Sequence, residues 1–149
     1  MTPKENPKII INQPYRFEHP FDIKQFIIAI CKEKKIKTGT FEFSFIDKET
    51  ITKINTTHLN HNNPTDTITF NLGSTSEPDA DIYICIPVAK ENALTFKTNF
   101  ESELKLLIIH TLLHTIGYTD TSAKEKKAMS NEQTRLLNQL TTQKNETKF

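Results

Sequence analysis

The segment HTLLHTIGYTD, from His110 to Asp120, sets two histidines four residues apart and follows them with a glycine and an aspartate. On a helix, an i, i+4 pair shares one face with Cβ atoms about 5 to 6 Å apart, so both rings can reach one ion. Gly117 stands three residues after His114, where helices commonly end in a left-handed residue that glycine adopts without a Cβ penalty. A chain that turns back there brings Asp120 toward the histidine face. Zinc accepts imidazole nitrogen and carboxylate oxygen, so His110, His114 and Asp120 make a candidate three-ligand site for one zinc ion per chain, with one coordination position open. The competing reading is a buried helix with two core histidines, a simple glycine cap and a turn aspartate.

The spacing H-x-x-x-H-x-x-G-x-x-D matches the H-E-x-x-H-x-x-G-x-x-H signature of metzincin peptidases in layout, with two substitutions. Aspartate in third place keeps a sound ligand. Thr111 in place of glutamate does not keep the peptidase base, because a hydroxyl cannot take a proton from water at neutral pH.

The elements that must carry these residues follow from periodicity. Leu106 to Ile116 is apolar around nearly its whole circumference, which makes this a central helix with the metal site at its end. Thr98 and Glu101 form a T-x-x-E capping box expected to start it. Residues 8–12 (KIIIN), Phe41 to Asp47 (FEFSFID), Thr67 to Asn71 (TITFN) and IYICIPV read as strands, the last as a central strand covered on both faces and ending at Pro87. Helices are expected from Asp22 to about Lys35, Ile51 to about His58, Val88 to about Phe96, and about Ser122 to Leu140. A frayed tail follows over about 141–149. Strands concentrated early and helices late imply an α+β fold within a single domain over 1–149, with four strands and about five helices.

At 149 residues the chain can bury a core without help from disulfides. A formal charge of +1 excludes a global basic field, so attraction to nucleic acid must come from local patches, for which Lys32, Lys34, Lys35 and Lys37 are the candidates unless they are a solvated helix end. Cys31 and Cys85 lie in apolar runs and read as reduced core residues of a cytoplasmic protein. No apolar run approaches the roughly 20 residues that span a bilayer, so no membrane partner is expected.

Taken with its upstream segments, HTLLHTIGYTD resembles the YbeY endoribonucleases, also called rRNA maturation factors, whose motif reads H-G-x-L-H-L-x-G-Y-D-H. PTDTITF, from Pro64 to Phe70, is similar to the family's P-T-D-V-L-S-F, and Asn55 to the asparagine of its preceding helix end. DADIYICIPV, with Asp81, is similar to G-D-I-x-I-x-x-x-x-V, and Glu91 and Glu103 also fit. The resemblance covers roughly residues 41 to 140. It implies a small mixed sheet packed with helices, and a metal-dependent, single-strand-selective RNase that trims the 3′ end of small-subunit (16S) rRNA and takes part in ribosome quality control. The partners it implies are single-stranded rRNA, the small ribosomal subunit and a ribosome-associated GTPase. Asp120 in third place resembles one branch of that family. Thr111 and Thr115 replace glycine and leucine, and Leu59 stands where an arginine suited to a phosphate is common. His58, His61 or a lysine from elsewhere can substitute.

The mechanism expected is metal-assisted hydrolysis. Asp66 is the candidate for orienting substrate or a ligand, or else a turn cap; Asn55, Thr65 and His61 are candidate substrate contacts, and Tyr118 is expected to pack under the site. The other readings are a ribosome-assembly factor with a structural metal, and a metallopeptidase.

Overall fold

The computed structural model describes residues 6–59 and 64–146. Four strands form one mixed sheet in the order β1-β2-β4-β3. β1 (Lys8–Asn12) runs parallel to β2 (Thr40–Ile46), β2 runs parallel to β4 (Asp79–Cys85), and β3 (Thr67–Asn71) closes one edge antiparallel to β4. The helices are α1 (Ile23–Glu33), α2 (Lys48–Ile54), α3 (Ile86–Thr95), α4 (Phe100–Thr115) and α5 (Ala123–Glu146). The fold is α+β, as the order of elements implies; its opening β1-α1-β2 unit is a parallel crossover that the later elements do not repeat.

Period-two alternation explains the core. Phe41, Phe43 and Phe45 of β2 and Ile82 and Ile84 of β4 point to one face and are fully buried with Ile27 and Ile30 of α1 and Ile108 and Leu112 of α4. Each such side chain contributes about 1.5 to 3 kcal/mol of transfer free energy. The opposite face is covered only at its C-terminal end, where Ile46, Ile51, Ile68 and Cys85 form a smaller cluster. β4 is thus central, but Asp81 and Tyr83 stay part-exposed on that second face, so the expectation of cover on both faces holds only at its end. Both cysteines are buried and free.

Several boundaries differ from the sequence reading for local reasons. The second helix begins at Lys48, because the Asp47 carboxylate accepts from the Thr50 N–H at 2.8 Å and caps it. It continues as a π turn over Asn55–Leu59. Strand β4 ends at Cys85, and Pro87 sits in the first turn of α3, where its missing N–H costs nothing. The cap of α4 is Asn99, whose side chain accepts from the Ser102 N–H at 2.8 Å; the N–H of Thr98 is instead used to close α3 onto Ala93 O at 2.9 Å. Helix α5 continues past Leu140 to Glu146. Lys34 does not belong to a free basic patch: its ammonium donates to Glu132 at 2.6 Å and to the Tyr118 hydroxyl at 2.8 Å.

Candidate metal centre

Helix α4 is buried round most of its circumference, including its polar residues Glu103, Lys105, Thr111 and Thr115, and is part-exposed along the stripe of Ser102, Leu106, His110 and His114. The two threonines are accommodated by turning their hydroxyls back on the helix: Thr111 Oγ1 donates to Ile108 O at 2.9 Å and Thr115 Oγ1 to Leu112 O at 2.7 Å. Thr111 is therefore neither a base nor free to act on a ligand.

The helix ends as its glycine requires. Gly117 has φ +109°, its N–H donates to His114 O at 3.2 Å, and the Tyr118 N–H reaches back to Leu113 O at 3.0 Å. A Cβ at Gly117 would meet only Thr75 Cγ2 at 3.5 Å, so the backbone angle rather than space demands glycine here. This turn aims the Tyr118 carbonyl at the site, and the Tyr118 ring packs against the main core.

His110 and His114 are brought together with their Nε2 atoms 3.0 Å apart and their rings perpendicular. His114 Nδ1 donates to Tyr118 O at 3.1 Å, and His110 Nδ1 donates to Oε1 of Gln133 on α5. Both partners are oxygens that can only accept, so in the neutral rings both protons lie on Nδ1 and both Nε2 lone pairs face the same point. Two facing lone pairs repel unless a cation lies between them. A tetrahedral zinc with bonds of ~2.0 to 2.1 Å holds its nitrogens about 3.3 Å apart, close to the observed separation. Burial and the neighbouring His110 hold the His114 pKa below the usual histidine value, which favours the neutral, ligating form. The pair fits a metal.

Asp120 lies past the Gly117 turn and is exposed; its charge reaches His114 and works against the two effects just named. Among the described residues no three His, Cys, Asp or Glu side chains form a cluster able to hold an ion, so the structure brings together two of the three expected ligands.

The histidine pair opens on a cavity of about 510 Å³ between α4 and the edge strand β3, lined also by Asn55, Thr65, Thr67 and Thr69. Asn55 is buried and donates to Thr65 Oγ1 at 3.1 Å, and Thr65 donates to Thr67 O at 3.3 Å, so two expected substrate contacts do line the cavity and hold each other. Asp66 points elsewhere: its carboxylate accepts from Asn92 Nδ2 at 3.2 Å, and the same amide donates to the buried Glu103 at 3.4 Å. His58 is exposed and lies edge-on to Phe70 with ring centroids 5.6 Å apart. His61 lies outside the described residues, and Leu59 closes the π turn.

Gln133 was not legible as a site residue, although its position carried a signal. It interrupts the apolar stripe of Met129, Leu136 and Leu140, all buried, and a glutamine on a buried stripe needs a partner.

The family model described as Endoribonuclease YbeY matches residues 11–141, so the match begins well before residue 41, where the resemblance read from motifs begins. Curated relatives bearing that name include one from Chloroherpeton thalassium, 34% identical over 130 residues that cover 87% of this chain and 92% of the relative. Another, from Karelsulcia muelleri, is 40% identical over 110 residues, covering 74% and 77%. The solution structure of a Thermotoga maritima protein superimposes with a TM-score of 0.68 at 25% identity, covering 95% of this chain and 93% of that one. With the histidine pair and the Pro64–Phe70 segment meeting at one cavity, the chain belongs to the YbeY family of endoribonucleases, hydrolases of phosphodiester bonds within RNA.

Proposed function

We propose that the chain is a zinc-dependent endoribonuclease selective for single-stranded RNA, which acts in the cytoplasm on the 3′ end of small-subunit (16S) rRNA. We assign metal binding to His110, His114 and Asp120. The observation that carries the reading is the pair of Nε2 atoms 3.0 Å apart, each ring fixed by an oxygen acceptor on its Nδ1. Bound there, zinc supplies a nucleophile at neutral pH and Lewis-acid polarisation of a phosphate. The chain's own contribution is to hold both rings in one tautomer, to bury α4 so that they cannot swing apart, and to keep the cavity open along β3. No helix among the described residues is long and apolar enough to cross a membrane. The small ribosomal subunit and a ribosome-associated GTPase are the proposed partners.

A ribosome-assembly role with a structural metal is the second reading. It is favoured by one observation: Leu59 supplies no cation, and no lysine or arginine lines the cavity among the described residues. A metallopeptidase is set aside by family membership and by Thr111, whose hydroxyl is spent on Ile108 O.

Cleavage separates these. Purified protein supplied with zinc should cut single-stranded RNA in preference to duplex, spare casein, and lose activity on His114→Ala. Undiminished RNase activity in that variant would sink the metal mechanism, and zinc binding without cleavage by the wild type would leave the assembly role.

A further inference from the structure

Apart from the histidine pair, no charged or titratable side chain lines the cavity among the described residues, so away from the metal its neutral polar groups must do the recognising. Most of them are already occupied. Asn55 and Thr65 hydrogen-bond in series to Thr67 O, Thr115 bonds its own helix, and Asn71 Nδ2 donates to Thr115 O at 3.1 Å while its oxygen accepts from Gly73 and Asp79 N–H groups.

Two hydroxyls remain. Thr67 and Thr69 line the cavity, are part-exposed, and have no side-chain hydrogen-bond partner among the described residues. They pair with Ile84 and Ile82 of β4, so both side chains lie on the α4 side of the sheet, the side from which the histidines approach. Two residues apart on a strand, their hydroxyls are spaced by about 6.6 to 6.8 Å. Ile68 and Phe70 alternate to the other face. The edge strand therefore presents a pair of free hydroxyls toward the reacting position.

We propose that in this chain Thr69, with Thr67 as an added contact where the family motif carries valine, reads the 2′-hydroxyls of the RNA strand, so that β3 contributes to separating RNA from DNA. This deepens the proposed function and rests on it. A threonine hydroxyl both donates and accepts, as the ribose 2′-hydroxyl does, and that group distinguishes RNA from DNA at a given site. Away from the metal, a phosphate would instead call for a lysine or arginine, and none lines the cavity among the described residues.

Thr67→Val and Thr69→Val remove the hydroxyl while keeping shape and β-branching, and Thr67→Val also restores the valine of the P-T-D-V-L-S-F motif, so neither should disturb the strand. With zinc-loaded protein, the KM for a single-stranded RNA and the Ki of the same-sequence DNA as its competitor should be measured together. Each substitution should raise KM about fivefold, the scale of one neutral hydrogen bond. Ki for DNA should stay within about twofold, kcat should move far less than KM, and serine at either position should rescue. An unchanged KM in the double variant overturns the assignment, as does a parallel rise of KM and Ki, which would mean a contact common to RNA and DNA. If the zinc-loaded wild type cut no RNA, the functional reading itself would fall and take this one with it; an active double variant with its RNA/DNA ratio intact removes only the threonine assignment.

Discussion

Gln133 of α5 accepts the Nδ1 proton of His110 from across the interface between α5 and α4. A histidine that ligates a metal through Nε2 is held in tautomer and orientation by such an acceptor, and losing it typically costs 10- to 100-fold in metal affinity. Gln133→Leu should therefore weaken zinc binding by roughly one to two decades, read by competition with a chelating dye, while Gln133→Glu, which keeps an acceptor, should retain most of it. Equal affinity in wild type and Gln133→Leu would remove Gln133 from the support of the site.

Asp120 tests the third ligand. It is exposed and, among the described residues, outside any three-residue cluster, yet its charge reaches His114. If it ligates, Asp120→Ala should lower bound zinc measured by metal analysis after gel filtration, and Asp120→His should restore it, since both side chains are competent ligands. Zinc content equal to wild type in Asp120→Ala would leave the two histidines without it.

The parts of this molecule that were legible in the sequence are those written into contiguous periodicity. Phe41, Phe43 and Phe45 announced β2, the apolar circumference of Leu106 to Ile116 announced a central helix, and His110 with His114 announced a shared face. The parts that were not legible depend on which side-chain oxygen wins a competition. Asn99 rather than Thr98 caps α4, its Oδ1 accepting from the Ser102 N–H, while the Thr98 N–H to which a capping-box glutamate would bond closes α3 on Ala93 O. Lys34 looked like one of several solvated lysines, but its partners lie far along the chain at Tyr118 and Glu132. Asp66 sits beside the cavity in sequence and turns away from it in space, drawn to Asn92.

The Glu132 carboxylate is a pH-sensitive tie between α1 and α5. Hydrogen bonds from Arg135, and then from Lys34, hold its pKa down to about 2 against an ordinary 4.5. A depressed carboxylate contributes stability that is complete above pH 4.5 and lost as pH falls toward about 2, because the unfolded chain takes up the proton first. Urea midpoints should accordingly drop over that acid range in the wild type and fall less steeply in Glu132→Gln, which starts lower. Parallel pH profiles for the two proteins would show that Glu132 is not the linked group.

Asn92 holds two carboxylates with one amide, donating to Asp66 at 3.2 Å and to Glu103 at 3.4 Å. Glu103 is 5% exposed, and burial raises its pKa, with Asp66 adding to the rise and the Asn92 hydrogen bond opposing it. Removing the amide leaves a buried carboxylate short of its donor, which costs about 1 to 3 kcal/mol. Asn92→Ala should therefore be destabilised by that order at neutral pH. The sign of its pH dependence follows: a raised folded-state pKa means that the native protein holds its proton longer than the unfolded chain, so stability falls as pH rises above the ordinary carboxylate value. The deficit of Asn92→Ala against wild type should shrink as pH is lowered from 7 toward 5, and Glu103→Gln in the same background should abolish that dependence. A deficit that stays constant across this range would place the cost in lost packing of α3 on α4 and not in the Glu103 charge.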